Sequence, residues 1–200
     1  MSAAAVPALD RRLVLADTIP GARVRDAVLV VSGALLVAIL AQVAIFVPGT
    51  PVPITGQTLG VGLVGATLGM NRGALSLTLY ALLGLMLPFY SDGGSGTEVL
   101  FGANGGYIFG FILAAAAIGY LAERGADRKV LAAFAAFVIA QLLIFGLGVP
   151  VLKMVLDMTW AQAISAGFTP FILGGLVKAA VGAALLPSAW VAVRRFERRD

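Results

Sequence analysis

Long apolar stretches separated by short polar breaks organise this chain, and their lengths predict helices that cross a membrane. Six stretches stand out, at residues 27–47, 54–70, 73–87, 105–122, 130–149 and 169–193. Each approaches the ~20 residues needed to span a hydrocarbon core about 30 Å thick. The first ends at Pro48-Gly-Thr-Pro-Val-Pro53, whose three prolines cannot continue a helix. Asn71-Arg72-Gly73 reads as a tight turn between the second and third spans. Pro88 ends the third, and a flexible acidic loop, Ser91-Asp-Gly-Gly-Ser-Gly-Thr-Glu98, follows it. A short apolar piece at 99–101 and a Gly-rich segment at 102–107 open the fourth span. Glu123-Arg-Gly-Ala-Asp-Arg-Lys129 is a compact polar turn, and Pro150 closes the fifth span. Residues 151–168 alternate apolar positions with Lys153, Asp157, Thr159 and Gln162, which suits an interfacial or re-entrant helix. The prediction is an all-α polytopic membrane bundle at 27–193, with tails at 1–26 and 194–200.

Charge orients that bundle. Arg11, Arg12, Arg23 and Arg25 precede the first span, and Arg72 lies between the second and third. Arg124, Arg128 and Lys129 follow the fourth, and Arg194, Arg195, Arg198 and Arg199 close the chain. All of these fall on one side, whereas the opposite loops carry only Lys153. By the positive-inside rule both termini are cytoplasmic. The net charge of +4 is therefore a topology signal, not a nucleic-acid footprint.

Composition sharpens what is excluded. Hydrophobic residues make up 60% and charged residues 12% of 200 residues, and mean hydropathy is +0.99. Six spans leave no room for a separate catalytic domain. The chain has no Cys and no His, which removes disulfides, thiolate metal sites and the commonest general base. It has no Gly-x-Ser-x-Gly elbow, no His-Glu-x-x-His pair and no Walker spacing, and no span holds paired carboxylates. An enzyme is disfavoured, no metal or cofactor is called for, and ATP-driven work has to come from a partner.

One charge lies inside a span. Lys178 is nine residues into the last stretch, roughly 13 Å down at about 1.5 Å per residue. A buried lysine costs about 2.5–3.5 kcal/mol on insertion scales, so it needs a use or must snorkel to the surface. The long outer connections bring a polar set to the same half of the bundle: Gln57, Asn104, Tyr107 and Asp157. Phe89, Phe101, Phe168, Phe171 and Trp160 add flat apolar surface. Few polar groups among aromatics describe a small-molecule site. Plainer uses compete. Tyr107 and Trp160 suit an interfacial belt, Asn104 a turn, and Gln57 a helix cap. Asp157 suits a solvated surface, and Gln42, Gln141 and Tyr80 suit bonds between helices.

Three motifs fit a known family in order and spacing. They are Val52-Pro-Ile-Thr-Gly-Gln-Thr-Leu59, Asn71-Arg-Gly-Ala-Leu75 with Tyr80-Ala-Leu-Leu-Gly84, and Gly105-Gly-Tyr-Ile-Phe-Gly-Phe111. Over residues 27–192 the chain resembles the BioY family, the biotin-binding S components of energy-coupling-factor (ECF) transporters. The resemblance implies a six-helix membrane protein of the bacterial inner membrane that captures biotin from outside. It further implies a transmembrane coupling subunit and two ATP-binding-cassette ATPases as partners. The loops after spans one and three would act as lids, and the small residues Ala34 and Ala38 would dock on the coupling subunit. Lys178, Asn104 and Tyr107 would hold the ligand, with Gln57, Tyr80, Asp157, Phe101 and Trp160 around them. The sequence does not orient the ligand: Lys178 suits either the ureido ring or the carboxylate. One departure is plain. The family's last span commonly reads Pro-Gly-Asp-x-x-Lys, and here Leu173-Gly-Gly-Leu-Val-Lys178 puts Gly175 where the acid is expected. Asp157 is then the candidate counter-charge for Lys178. An S component for another vitamin, an intramembrane enzyme and a channel are the competing readings.

Overall fold

The computed structural model describes residues 14–197 apart from Ala22; what the sequence suggests for 1–13 and 198–200 lies outside the described residues. Eight α-helices dominate it: α1 Arg23–Ala41, α2 Gln57–Leu68, α3 Met70–Leu83, α4 Thr97–Leu100, α5 Gly105–Ala122, α6 Val130–Val155, α7 Trp160–Gly167 and α8 Phe171–Glu197. Four of them, α1, α5, α6 and α8, are long and apolar enough to cross a membrane. The central pair is shorter. α2 has 12 residues and α3 has 14, about 18 and 21 Å of helix.

Differences from the sequence expectations are local and have local causes. The first helix starts four residues early and stops at Ala41. Ala44–Ile45 (β1) then pairs antiparallel with Ile54–Thr55 (β2), so the three prolines sit in a hairpin instead of ending a helix. Asn71-Arg72-Gly73 is not the turn; it belongs to the first turn of α3. Gly69 makes the turn at φ +85°, a conformation that favours glycine. Pro150 does not end the fifth span. It lies inside α6, where it removes only the helix bond to the Gly146 carbonyl, and membrane helices tolerate such breaks. Residues 151–168 divide between the end of α6 and the separate helix α7, which Thr159 caps by accepting from the Gln162 N–H at 3.3 Å.

Small residues set how closely the helices approach. A Cβ on Gly110 of α5 would lie 2.8 Å from the Cα of Ile144 on α6, and one on Gly73 would lie 2.9 Å from the Cα of Gly65. Backbones this close maximise van der Waals contact where lipid offers no hydrophobic drive. Ala34 and Ala38 do the same work on α1. They are 0% and 5% exposed, on the face that meets α2 and α3. This corrects their expected role: a buried face is not free to dock a partner. The exposed side of α1 carries Val24, Val28, Val31, Leu35 and Ile39 instead.

Both described chain ends gather at one end of the bundle. Arg72 Nη2 meets Asp17 at 2.6 Å and Nη1 meets Asp26 at 3.1 Å, tying the turn before α1 to α1 and α3. Glu123 accepts the Met70 N–H at 2.8 Å and so caps α3 from the opposite hairpin. Trp190 on α8 donates to the buried Asp127 between α5 and α6.

Candidate binding site

At the other end lies a cavity whose empty space, counted together with the open solvent at its mouth, is about 600 Å³. Helical spacing supplies most of its wall. Phe171, Gly175 and Lys178 share one face of α8, and Gln141, Ile144 and Phe145 share one face of α6. Asn104, at the N-cap position of α5, is followed by Tyr107, Ile108 and Phe111. Tyr80 enters from α3 and Gln57 and Thr58 from α2. Val52, Pro53 and Thr55 come from the hairpin, and Tyr90, Ser91 and Val99 from the loop after α3.

Among the described residues Lys178 is the one charged residue in this lining. Its Nζ donates to the Thr55 carbonyl oxygen at 2.6 Å and to Thr58 Oγ1 at 3.1 Å. An ammonium has three N–H donors, so these two bonds leave one for a ligand. Asp157 is not its counter-charge. It sits exposed in a left-handed turn at φ +48°, and no ion pair joins it to Lys178 among the described residues.

The wall beside Lys178 is braced by a short relay. Thr55 Oγ1 donates to Gln57 Oε1 at 2.7 Å, and Gln57 Nε2 donates to Tyr80 Oη at 2.6 Å. The Tyr80 ring meets Tyr90 edge-on at 5.8 Å between centroids. Tyr90 donates to the Ala81 carbonyl at 2.6 Å, and burial pushes its phenol above the ordinary value. Gln57 is therefore a wall element and not a helix cap.

Across the cavity, Tyr107 donates to the Gly167 carbonyl at 2.9 Å, anchoring the end of α7. Its ring stands edge-on to Phe145, 6.2 Å away, and Phe145 in turn meets Phe168 at 5.1 Å and Phe171 at 5.7 Å. Asn104 Oδ1 is buried with no hydrogen-bond partner. A buried acceptor left unpaired costs about 1–3 kcal/mol, which a ligand N–H would recover.

Of the residues picked out from sequence, Lys178, Asn104, Tyr107, Gln57 and Tyr80 border this cavity. Asp157, Phe101 and Trp160 do not. Phe101 is 67% exposed against Phe109, and Trp160 is 55% exposed with Lys153 5.5 Å over its ring. The connection before α8 contributes no lining residue, so two of the three outer connections border the cavity. Sequence reasoning missed Thr55, Thr58, Phe111 and Phe145, and assigned Gln141 only to helix bonding. Gln141 does bond a helix, donating from Nε2 to the Gly175 carbonyl at 2.9 Å, yet it also faces the cavity. A polar residue isolated in the apolar run of α6 was the available signal.

Comparison with known proteins agrees with this geometry. A Thermotoga maritima protein described as "Biotin transporter BioY" is 42% identical over 141 residues, covering 70% of this chain and 81% of that protein. "Biotin transporter BioY2" of Lactococcus lactis subsp. cremoris is 36% identical over 155 residues, 76% of this chain and 82% of its own length. A solved S-component for biotin from an ECF-type ABC transporter superposes with a TM-score of 0.74 at 22% identity. That match covers 88% of this chain and 92% of the other, and likens the two folds. These relatives and the apolar helices mark an integral membrane protein. The BioY family profile matches residues 12–195, and the chain belongs to the BioY family.

Proposed function

We propose that this chain is the biotin-capturing S component of an ECF transporter. The observation that carries the reading is one cation and an unpaired buried acceptor that, among the described residues, face one aromatic-walled cavity, in a chain similar over most of its length to proteins described as biotin transporters. Biotin's ureido group presents one carbonyl acceptor and two N–H donors. Lys178 Nζ donates to the carbonyl, and Asn104 Oδ1 accepts from an N–H. The fused rings lie against Tyr107, Phe145 and Phe171, while Gln57 and Tyr80 hold the wall that carries Thr55. Such bonds are worth more in a water-poor cavity than in solution. Asp157, Phe101 and Trp160 lie outside this arrangement and are left out of it.

In this reading the protein sits in the bacterial inner membrane with six spans and both termini cytoplasmic. The α2–α3 hairpin supplies two of the crossings. Its reach is extended by the backbone bond from the Leu87 N–H to the Leu83 carbonyl (2.8 Å), which carries a helix-like path beyond α3. Ligand enters from outside, and a transmembrane coupling subunit with two ATPases drives its release. Equilibrium binding of radiolabelled biotin to the purified protein tests the claim. Saturable binding at micromolar ligand, with thiamine and riboflavin failing to compete, is expected; no saturable binding overturns it.

A further inference from the structure

Gly175 and Gln141 occupy a single side-chain volume. A Cβ built on Gly175 would lie 2.0 Å from Gln141 Oε1 and 3.1 Å from its Cδ. No side chain at position 175 is compatible with Gln141 where it stands. The amide of α6 has entered the space over α8 that glycine leaves open, and it is pinned there by the bond from Nε2 to the Gly175 carbonyl at 2.9 Å.

That bond also fixes which way the amide points. A carbonyl oxygen can only accept, so the amide nitrogen must face the Gly175 carbonyl, and the amide oxygen takes the space over Gly175 where a Cβ would stand. Gln141 is 9% exposed and forms part of the cavity wall, and no described residue donates to its Oε1. Gly175 and Lys178 are three residues apart on one helix face, so the acceptor lies about one helical turn before the Cα of Lys178. The cavity wall thus includes the cationic donor Lys178 Nζ and two amide acceptors, Asn104 Oδ1 and Gln141 Oε1.

We infer that Gln141 is a specificity-determining residue of this site: its Oε1 accepts an N–H of the ligand, so that ligands bearing a cyclic urea or amide with free N–H groups are selected over those without. The assignment rests on the biotin reading of the same cavity. It adds that the acceptor is a neutral amide delivered by α6, which leaves the Lys178 charge without an opposite charge in the wall.

The test compares dissociation constants for biotin and for biotin methylated at one ureido nitrogen, each nitrogen in turn. The wild type, Gln141→Leu, Gly175→Ala and Gln141→Glu are measured. The wild type should prefer biotin over at least one methylated form by about tenfold, the scale of one buried polar group left unpaired. Gln141→Leu should weaken biotin and bring that ratio close to one. Gly175→Ala should do the same with Gln141 still in the chain, because its Cβ evicts the amide. Gln141→Glu, which keeps an acceptor oxygen, should keep the ratio. If Gln141→Leu does not fold, Gly175→Ala and Gln141→Glu are read by the same ratio and decide the matter. Wild-type binding of biotin with a ratio unchanged in Gln141→Leu or Gly175→Ala overturns the role of Gln141 and leaves the biotin reading standing. Failure of the wild type to bind biotin overturns both.

Discussion

The ammonium of Lys178 is held by a backbone carbonyl and a hydroxyl, neither of them charged. Its charge is thus solvated by dipoles without being neutralised, the condition in which a ligand acceptor gains most from it. Lys178→Ala should weaken biotin binding by tenfold or more, about 1.4 kcal/mol, in an equilibrium binding assay; unchanged affinity would mean that the side chain only anchors Thr55 and Thr58. Asp157→Asn belongs to the same assay with the opposite expectation. The residue is exposed in a turn away from the cavity, so affinity should stay within about twofold, or ~0.4 kcal/mol. Lys178 was readable from sequence because a charge in an apolar run announces itself. Asn104, Tyr107, Gln57 and Tyr80 were readable for the same reason, as polar groups at the outer ends or within apolar spans. Phe145 and Phe111 were not, since a phenylalanine in a span is ordinary until its neighbours in space are known. Asp157 was misjudged because its closeness along the chain to α8 says nothing about where a left-handed turn sends its side chain.

At the scale of elements, the proline and glycine positions were visible but their effects were not always assigned correctly. Pro48, Pro51 and Pro53 do forbid a helix, and they close a hairpin whose second strand delivers Thr55 to Lys178. Pro150 was read by a rule for water-soluble helices, and inside an apolar bundle the helix runs on to Val155. The turn between α2 and α3 was placed on the polar Asn71 and Arg72, although the conformational need falls on Gly69. Arg72 is then free to use its guanidinium on Asp17 and Asp26. Gly69→Ala offers a direct check. At φ +85° and ψ 177°, a region essentially confined to glycine, an alanine costs about 1–3 kcal/mol, and its Cβ would also lie 2.7 Å from the Glu123 Oε1 that caps α3. The thermal unfolding midpoint in detergent should fall by several degrees. Biotin affinity measured well below that midpoint should hold, because Gly69 is at the end of the bundle opposite the cavity.

The whole molecule is polarised along the bundle. One end collects the Arg72 ion pairs, Arg124 over Tyr120 at 3.3 Å and Arg128 over Trp190 at 4.5 Å, and the other end holds the cavity. If the basic end faces the cytoplasm, the cavity opens outward, as capture from outside requires. The crossing number is a separate question, because α2 and α3 are shorter than the ~30 Å hydrocarbon core. A hairpin that crosses and one that only dips from the outer face return the chain to the same side, so the loop after α3 cannot tell them apart. Position 71 can. The chain has no native cysteine, so single cysteines at the exposed positions 71, 95 and 129 each give one reactive thiol. With six spans, a membrane-impermeant thiol reagent should label Ser95→Cys in intact cells and leave Asn71→Cys and Lys129→Cys unmodified until the membrane is opened. Labelling of Asn71→Cys alongside Ser95→Cys would reduce the count to four. Labelling of Lys129→Cys with Ser95→Cys left unmodified would invert the orientation, and would then place the cavity on the wrong side for uptake.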